Sequence, residues 1–407
     1  MRKKINMKNF VQKFSRCFKK TFSKNLYRFS HFKVVFGDLF HISNKIYNTS
    51  EHLKAVMKWL CFAQDVTESG GVSVGYSFSK GWLPAYPETT GYIISTFFNY
   101  ANYSSNLEYR KRAIQMCDWE SRNQLSNGAV MSGGCEEKSQ EKDKQPAVFN
   151  TGQVILGWCR GYRETKNKLY LNCAKEAGDW LVEIQDEDGT WRKGLSPIPN
   201  SPSVHTYHAR VSWPLIELSI ITGEEKYKEA ARRNLDWVIS QQNREGWFVN
   251  NSFHNNRDPI THAICYTIEG ILEAGILLDE EKYKRAAIFS AKNLLDCFEK
   301  DRKLYASYNG DWKSKDNYTC LTDNAQASLI WLRIFEITKD SRFLNAALRM
   351  NAFLKTTQNL YSKNPGIRGG IKGSHPIYGG YCPLFYISWA AKFFADALLL
   401  EEKITQK

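Results

Sequence analysis

Aromatic residues and glutamines recur along the chain with a fixed period. An aromatic residue is followed five positions later by Gln at Trp59/Gln64, Trp119/Gln124, Trp180/Gln185, Trp237/Gln242 and Phe353/Gln358. The steps between these aromatic residues are 60, 61, 57 and 116 residues, and the last step is twice 58. The gap holds a degenerate copy at Leu295 and Lys300. This period predicts six structural units that fill the chain from about residue 50 to its end.

Each unit has the pattern of two helices. The first helix carries the aromatic residue and the glutamine and has one charged face, as in 224–242, so it is predicted to lie on the outside. The second helix is apolar on most sides, as in 261–278 and 323–337, and is predicted to be an inner helix. The inner helices are predicted to begin near Glu88, Asn150, His208, Thr261, Thr322 and Tyr381.

The connections between these helices alternate between short and long. Each inner helix is joined to the next outer helix by a few residues, and short joins force neighbouring helices to be antiparallel. The outer-to-inner connections run to about 20 residues, at 65–87, 125–148, 186–207, 243–260, 300–321 and 359–380. All six long loops should therefore lie at one end. The predicted fold class is an all-α (α/α)6 toroid of six two-helix hairpins, with functional loops around one mouth.

The positive charge is concentrated at the start of the chain. The formal net charge is +14, but residues 1–37 hold eleven Lys and Arg and no Asp or Glu, and the remainder is nearly neutral. Apolar residues follow a helical spacing in this region, at Phe10, Phe14, Phe18, Phe22, Leu26 and Phe29. We predict a basic amphipathic N-terminal segment over 1–45, followed by a toroid catalytic domain over 46–407.

Three interpretations of this basic segment stay open. Residues 1–37 can bind an anionic membrane surface, dock as a helix on the toroid, or form a targeting or unstructured tail. We expect the membrane surface as a partner, and no nucleic acid, because the rest of the chain carries little net charge. No apolar run approaches the length of a spanning helix, which excludes a multi-pass membrane protein.

The ten cysteines include no C-x-x-C pair, and several lie within apolar helical stretches. This usage favours free thiols in a reducing compartment over disulfides or a zinc cluster. We therefore expect a cytoplasmic protein at the inner face of the membrane. His205/His208 and His254/Asp258/His262 have ligand-like spacing, but the signal is weak and Pro259 breaks the helix face of the second set, so no metal is expected. No Gly-rich nucleotide fingerprint occurs in the sequence, so no other cofactor is expected.

Two families resemble this pattern. Trp180, Gln185, Gly189 and Trp191, echoed at Trp119 and Trp237, resemble the QW motif of terpenoid cyclases. The sixfold hairpin arrangement resembles the six-hairpin glycosidase superfamily of polysaccharide hydrolases, lyases and sugar epimerases. The D-x-D-D and D-D-x-x-D strings of terpenoid cyclases are absent from the sequence, so the resemblance favours a carbohydrate role. The repeated glutamine is expected to be structural, satisfying backbone groups at helix ends.

Polar residues at the first turns of the inner helices are the candidates for chemistry, because these turns should face the mouth. The catalytic candidates are His208, His262, Tyr207, Tyr266, Asp323 and Glu88. Substrate-binding candidates at the same turns are Arg210, Asn150, Gln153 and Gln326. Rim-loop residues add Trp82, Trp312, His375 and Tyr378 as substrate-binding candidates.

Two mechanisms fit these candidates. Arg210 could hold a substrate carboxylate while a histidine removes a proton and a tyrosine returns it, as in elimination or epimerisation. A hydrolase would instead need two carboxylates across the mouth, drawn from Glu88, Asp258 and Asp323. Each of these polar residues could also be a helix cap or a satisfied core group.

The sequence predicts an enzyme that acts on an acidic oligosaccharide or polysaccharide by hydrolysis, elimination or epimerisation, with polysaccharide synthesis as one setting for this activity. One alternative is a non-catalytic carbohydrate-binding or assembly component of such a system. A terpenoid or prenyl-transfer role is the third interpretation.

Overall fold

The computed structural model describes residues 29–134 and 144–406. Its first helix, α1, spans Phe29–Leu39. Six outer helices follow along the chain: α2 Thr49–Asp65, α4 Leu107–Asn123, α6 Lys168–Glu183, α8 Glu225–Ser240, α10 Glu281–Asp301 and α12 Ser341–Thr357. Six inner helices alternate with them: α3 Pro87–Ser104, α5 Val148–Thr165, α7 Ala209–Thr222, α9 Thr261–Leu278, α11 Leu321–Thr338 and α13 Ser388–Thr405. A single 3-10 turn, Thr206–His208, precedes α7.

The short joins between inner and outer helices have a common construction. The residue after α3, α5, α9 and α11 adopts a left-handed conformation, which ends the helix and reverses the chain. The next outer helix then begins at a capping side chain in several units; Asn106, for example, accepts a hydrogen bond from the Glu108 amide. These joins make each pair of helices an antiparallel hairpin.

The inner helices form a closed ring. Each packs on the inner helix of the following unit, and α13 packs on α3. Glycines bring these helices close together: a side chain at Gly157 would meet the Gly91 carbonyl oxygen, and one at Gly270 would meet the backbone of Ala209. The all-α (α/α)6 toroid predicted from the repeat is confirmed.

The repeated glutamine links each unit to the next. The Gln185 Nε2 donates to the Gly189 carbonyl in its own loop at 3.1 Å and to the Ala230 carbonyl of the next outer helix at 2.9 Å. Gln64, Gln124, Gln242 and Gln358 make the same pair of bonds. The bond from Gln358 reaches back to His52 in the first unit, which closes the outer ring. The structural role predicted for this glutamine is confirmed.

Short strands join the loop of the last unit to the loops of the first and fifth units. The strands are β1 Gly75–Ser77, β2 Gly81–Trp82, β3 Thr319–Cys320, β4 Ser374–His375 and β5 Phe385–Ile387. β1 pairs in antiparallel fashion with both β2 and β5, and β3 pairs with β4. At Gly75 the β5 backbone approaches so closely that a side chain would collide with the Tyr386 carbonyl oxygen.

One predicted helix start is wrong. The last inner helix begins at Ser388 rather than near Tyr381. The intervening residues Cys382 and Leu384 have left-handed backbones, and Phe385–Ile387 pairs with β1 instead of continuing a helix. Backbone of this kind cannot enter a right-handed helix.

The helix α1 docks on the rim loops of the first and last units. The His31 ring stacks on Phe78 at 4.1 Å between centroids, and its Nε2 is 3.0 Å from the Tyr76 hydroxyl. Asp38 is buried and accepts bonds from the Lys372 ammonium at 2.6 Å and from the Ile377 amide at 2.6 Å. The predicted apolar positions from Phe10 to Leu26 lie outside the described residues.

Among the described residues, one helix, α9, has the length and the apolar composition that could span a membrane. It is a member of the inner ring, and most of it is buried by its neighbours.

Candidate active site

A cavity of about 300 Å³ opens at the end where the inner helices begin. Its walls come from the first turns of four inner helices, α3, α5, α9 and α13, and from the long loops, and they are rich in aromatic residues. The lining includes Tyr86, Glu88, Phe149, Tyr207, Phe253, His262, Tyr266, Tyr381 and Trp389. This cavity brings together four of the six predicted catalytic residues, Glu88, Tyr207, His262 and Tyr266.

Among the described residues that line this cavity, Glu88 is the one with a carboxyl group. It lies in the first turn of α3, which begins with Pro87, and its Oε2 accepts a hydrogen bond from the Tyr86 hydroxyl at 2.7 Å. Burial raises the pKa of Glu88 to about 7, although the Tyr86 bond and the Arg210 charge oppose the shift. Near neutral pH this carboxyl is therefore present in both the protonated and the ionised form.

His262, in the first turn of α9, is held in one orientation by a relay of polar groups. Its Nδ1 is 2.9 Å from the Gln326 Oε1, and the Gln326 Nε2 donates to the Glu269 Oε2 at 2.6 Å. Because the Glu269 carboxylate can only accept, it fixes the Gln326 amide so that its oxygen faces His262. The His262 Nδ1 must then carry the proton, which leaves Nε2 with the lone pair.

The protonation state of His262 follows from the same surroundings. Burial lowers its pKa to about 3, against the opposing effect of the Gln326 bond. The ring is thus neutral at ordinary pH, and its Nε2 carries no proton. The Tyr266 ring packs against it with 4.1 Å between centroids.

Three tyrosine hydroxyls belong to the same cavity. Burial raises the pKa of Tyr207, Tyr266 and Tyr381 above the usual range, so all three stay protonated. The Tyr381 hydroxyl accepts a bond from the Trp389 Nε1 at 2.9 Å. Phe149 packs on both Tyr207 and Tyr266, which fixes these rings in the wall.

Arg210 does not line this cavity. Its guanidinium forms a buried ion pair with Glu269, and its Nε donates to the Gln153 Oε1 at 2.9 Å. It also lies over the rings of Tyr266 and Phe393, at 5.1 and 5.3 Å from their centroids. Arg210 instead borders a second cavity of about 660 Å³ at the opposite end of the ring, among ion pairs such as Arg333 with Glu273.

Two predicted catalytic residues lie behind the wall. His208 is buried against Trp191 and His205, and burial holds its pKa well below the usual range. Asp323 is fully buried in the first turn of α11, and burial raises its pKa well above the usual range.

The predicted binding residues are distributed between the core and the rim. Asn150 is buried and donates to the Met131 carbonyl at 2.9 Å, while Gln153 and Gln326 belong to the polar relays around Arg210 and His262. Trp82 packs on Trp59, 5.3 Å between centroids, and the Trp312 indole donates to the Glu245 carbonyl.

The last rim loop is held by α1. The His375 Nδ1 lies 3.1 Å from the Lys372 ammonium and 3.4 Å from Asp38. Tyr378 packs against the core as a partly buried residue. Neither residue lines the cavity described above.

Sequence reasoning missed Tyr86, Tyr381, Trp389 and Glu269. Tyr86 lies two residues before Glu88 in the chain, and this proximity could have identified it as a partner of Glu88. The sequence predicts a helix that begins near Tyr381, whereas the structure has this residue on a loop because β5 pairs with β1. Glu269 lies two turns into α9, within a run of otherwise apolar residues.

Several solved structures share this fold. A cellobiose 2-epimerase from Bacillus thermoamylovorans superposes with a TM-score of 0.69 and 16% identity, over 86% of this chain and 97% of that one. An unsaturated glucuronyl hydrolase from Bacillus sp. GL1 gives 0.66 and 16%, over 88% and 98%. A D-mannose isomerase gives 0.65 and 13%, over 87% and 97%.

No protein-family model matches the chain, and no curated protein matches it in sequence. The structural likeness extends over nearly the whole length of each of these toroids. The resemblance inferred from the repeats is confirmed at the level of architecture: the chain has the same (α/α)6 toroid fold as these solved structures.

Proposed function

We propose that this protein is a carbohydrate-active enzyme that epimerises or isomerises a neutral sugar with a free carbonyl group. The observation that carries the proposal is the presence of Glu88 and His262 in one cavity, with protonation states suited to opposite roles. The solved toroids with this fold include a sugar epimerase and a sugar isomerase, which supports the same class of substrate.

The proposed reaction moves a proton to and from the carbon beside the carbonyl group. The His262 Nε2 removes this proton, and the protonated Glu88 donates its own proton to the carbonyl oxygen, which gives an enediol. For epimerisation, the hydroxyl of Tyr207 or Tyr266 delivers a proton to the opposite face of the same carbon while the enediol O–H proton returns to the Glu88 carboxylate, which restores the carbonyl and inverts that centre. The proton taken up by His262 then returns to the tyrosinate through solvent. Return of a proton to the former carbonyl carbon, with loss of the neighbouring hydroxyl proton, gives the isomer.

A neutral substrate fits the described lining better than an acidic one. No Lys or Arg is among the described residues of this cavity, and Arg210 is engaged by Glu269. A substrate carboxylate would lose its hydration here without gaining a counter-charge. The aromatic walls instead offer flat faces to the C–H groups of a neutral sugar.

Hydrolysis by two carboxylates is less well supported. Glu88 is the carboxyl residue among those described in the lining, and Asp323 is sealed behind the wall. A non-catalytic carbohydrate-binding role would not require a carboxyl group that titrates near pH 7 beside a neutral histidine, as Glu88 and His262 provide.

The test is a screen of neutral and acidic reducing saccharides for conversion to an epimer or isomer. The variant His262→Asn should lose about 10²–10⁴-fold in kcat, because the base is removed. The control variant His254→Asn changes a histidine outside the cavity and should retain full activity. Release of new reducing ends without epimerisation, or full activity in His262→Asn, would contradict the proposal.

A further inference from the structure

Helix α1 has one docked face and one exposed aromatic face. The docked face carries His31 and Asp38, both buried against the rim loops. The opposite face carries the phenylalanine ridge, defined as Phe29, Phe32, Phe36 and Phe40, with exposed fractions of 70, 49, 42 and 51%. Adjacent rings of the ridge touch, with 5.7 Å between the centroids of Phe32 and Phe36 and 4.3 Å between those of Phe36 and Phe40.

The ridge continues beyond the helix. Ile42 and Ile46, in the segment that leads to α2, are 61 and 49% exposed. Six large apolar side chains within 18 residues are therefore exposed to solvent. Such a set is far larger than the isolated apolar residues found on ordinary surfaces, and it marks a contact surface.

The charge of the preceding chain indicates what covers the ridge. Residues 1–28 hold ten Lys and Arg and no Asp or Glu, and this segment ends where the ridge begins. Within α1, the Lys33 ammonium lies over the Phe29 ring at 4.6 Å. Positive charge adjoining exposed aromatic rings is complementary to an anionic bilayer, whose headgroups attract the cations and whose acyl boundary takes the rings.

We propose that the phenylalanine ridge, together with the basic segment before it, binds the surface of an anionic lipid bilayer. Because α1 lies on the rim loops of the first and last units, the bilayer then lies beside the mouth of the toroid. The proposal concerns the outer surface only and does not depend on the chemistry proposed for the cavity.

The buried contacts of α1 make the ridge a fixed part of the molecule. Asp38 is tied to Lys372 and to the Ile377 amide, and Asn44 bonds the Thr356 carbonyl through both its backbone and its side-chain nitrogen. Membrane binding through the ridge would therefore orient the whole toroid, rather than tether it through a free chain.

The test is co-sedimentation of the full chain with vesicles of phosphatidylcholine alone and of phosphatidylcholine mixed with phosphatidylglycerol. We expect binding to the mixed vesicles that weakens as salt is added. The combined change Phe32→Ser, Phe36→Ser and Phe40→Ser should reduce the partition coefficient roughly 100-fold, about fivefold for each ring that no longer enters the bilayer. The same three positions changed to Leu should retain most of the binding.

A matched control removes exposed apolar side chains elsewhere. Leu107, Leu169 and Ile220 lie near the short joins at the opposite end and are 70, 49 and 56% exposed. Changing all three to Ser should leave vesicle binding unaltered. The proposal is overturned if the ridge variant binds as well as the wild type, or if neutral vesicles bind equally. It is also overturned if the wild type is a dimer that the Ser changes dissociate and that does not bind vesicles.

Discussion

Glu88 is the residue whose protonation most directly limits the proposed chemistry. Its pKa is raised by burial to about 7, so the proton that it donates is present below that pH and is lost above it. Activity that depends on this proton should fall as the pH rises through about 7. Measuring kcat against pH in the wild type tests this expectation.

The variant Glu88→Gln separates this group from others that titrate nearby. It should lose about 10²–10⁴-fold in kcat, and its remaining activity should not show the descending limb near pH 7. Glu245→Gln, at a carboxylate exposed on the surface, is the control and should behave as the wild type. An unchanged descending limb in Glu88→Gln would assign the titration to a different group.

The site could be predicted from the sequence only as a set of first-turn residues, because small local differences decide where each side chain points. His208 and His262 occur at similar positions in successive units. The third unit, however, inserts a 3-10 turn before its inner helix, so α7 begins after His208, whereas His262 lies inside α9. His262 consequently faces the cavity while His208 packs behind Tyr207. The partner of Arg210 was also beyond prediction, since Glu269 comes from a different inner helix.

At the scale of the element, the repeated glutamine makes a contribution to stability that can be measured. In the variant Gln242→Leu, the Gly246 and Ala286 carbonyls lose a donor at a partly buried position. We expect a loss of about 1–3 kcal/mol in the free energy of unfolding. The neighbouring Gln241 bonds only surface groups, so Gln241→Leu should change the stability by less than about 0.5 kcal/mol.

Thermal or denaturant unfolding of both variants checks this comparison. Equal losses in the two would show that the bonds between units contribute nothing beyond an ordinary surface contact. This pattern could be predicted from the sequence because each glutamine follows its own aromatic residue by five positions. The pairing of β1 with β5 could not be predicted, because it joins residues more than 300 positions apart in the chain.

Asp38 is the buried carboxylate that ties α1 to the last rim loop. Burial alone would raise the pKa of Asp38, but the Lys372 charge and the hydrogen bonds outweigh it and lower the pKa to about 2. A carboxyl with a lowered pKa stabilises the folded state at pH values above its ordinary pKa of 3.8, and this contribution is lost as the pH falls towards 2. Docking of α1 should therefore weaken between about pH 4 and pH 2.

The variant Asp38→Asn should release α1 at neutral pH, because it leaves the Lys372 ammonium buried without a counter-charge. Limited proteolysis should then cut between residues 29 and 47 faster than in the wild type. Asp340→Asn, at the cap of an outer helix, should not change this rate. Protection of α1 in Asp38→Asn would mean that the His31 and Asn44 contacts are sufficient.

At the scale of the whole molecule, the described part of the ring holds one cavity at its mouth and a larger one at the opposite end. Tyr266, Phe393 and the Arg210–Glu269 pair lie between the mouth cavity and the larger cavity at the opposite end. The sequence predicted twelve helices around one mouth because the repeat and the loop lengths are regular. It could not predict this partition, which depends on how side chains from several inner helices meet at the centre.

The most direct test of the central claim is the reaction of a converted sugar in D2O, followed by NMR or mass spectrometry. Proton abstraction by His262 predicts that deuterium from the solvent enters the carbon beside the carbonyl group of the product. In His262→Asn the rate of this incorporation should fall by the same factor of about 10²–10⁴ as turnover. If product forms in D2O without deuterium at this carbon, proton transfer through His262 and Glu88 is contradicted.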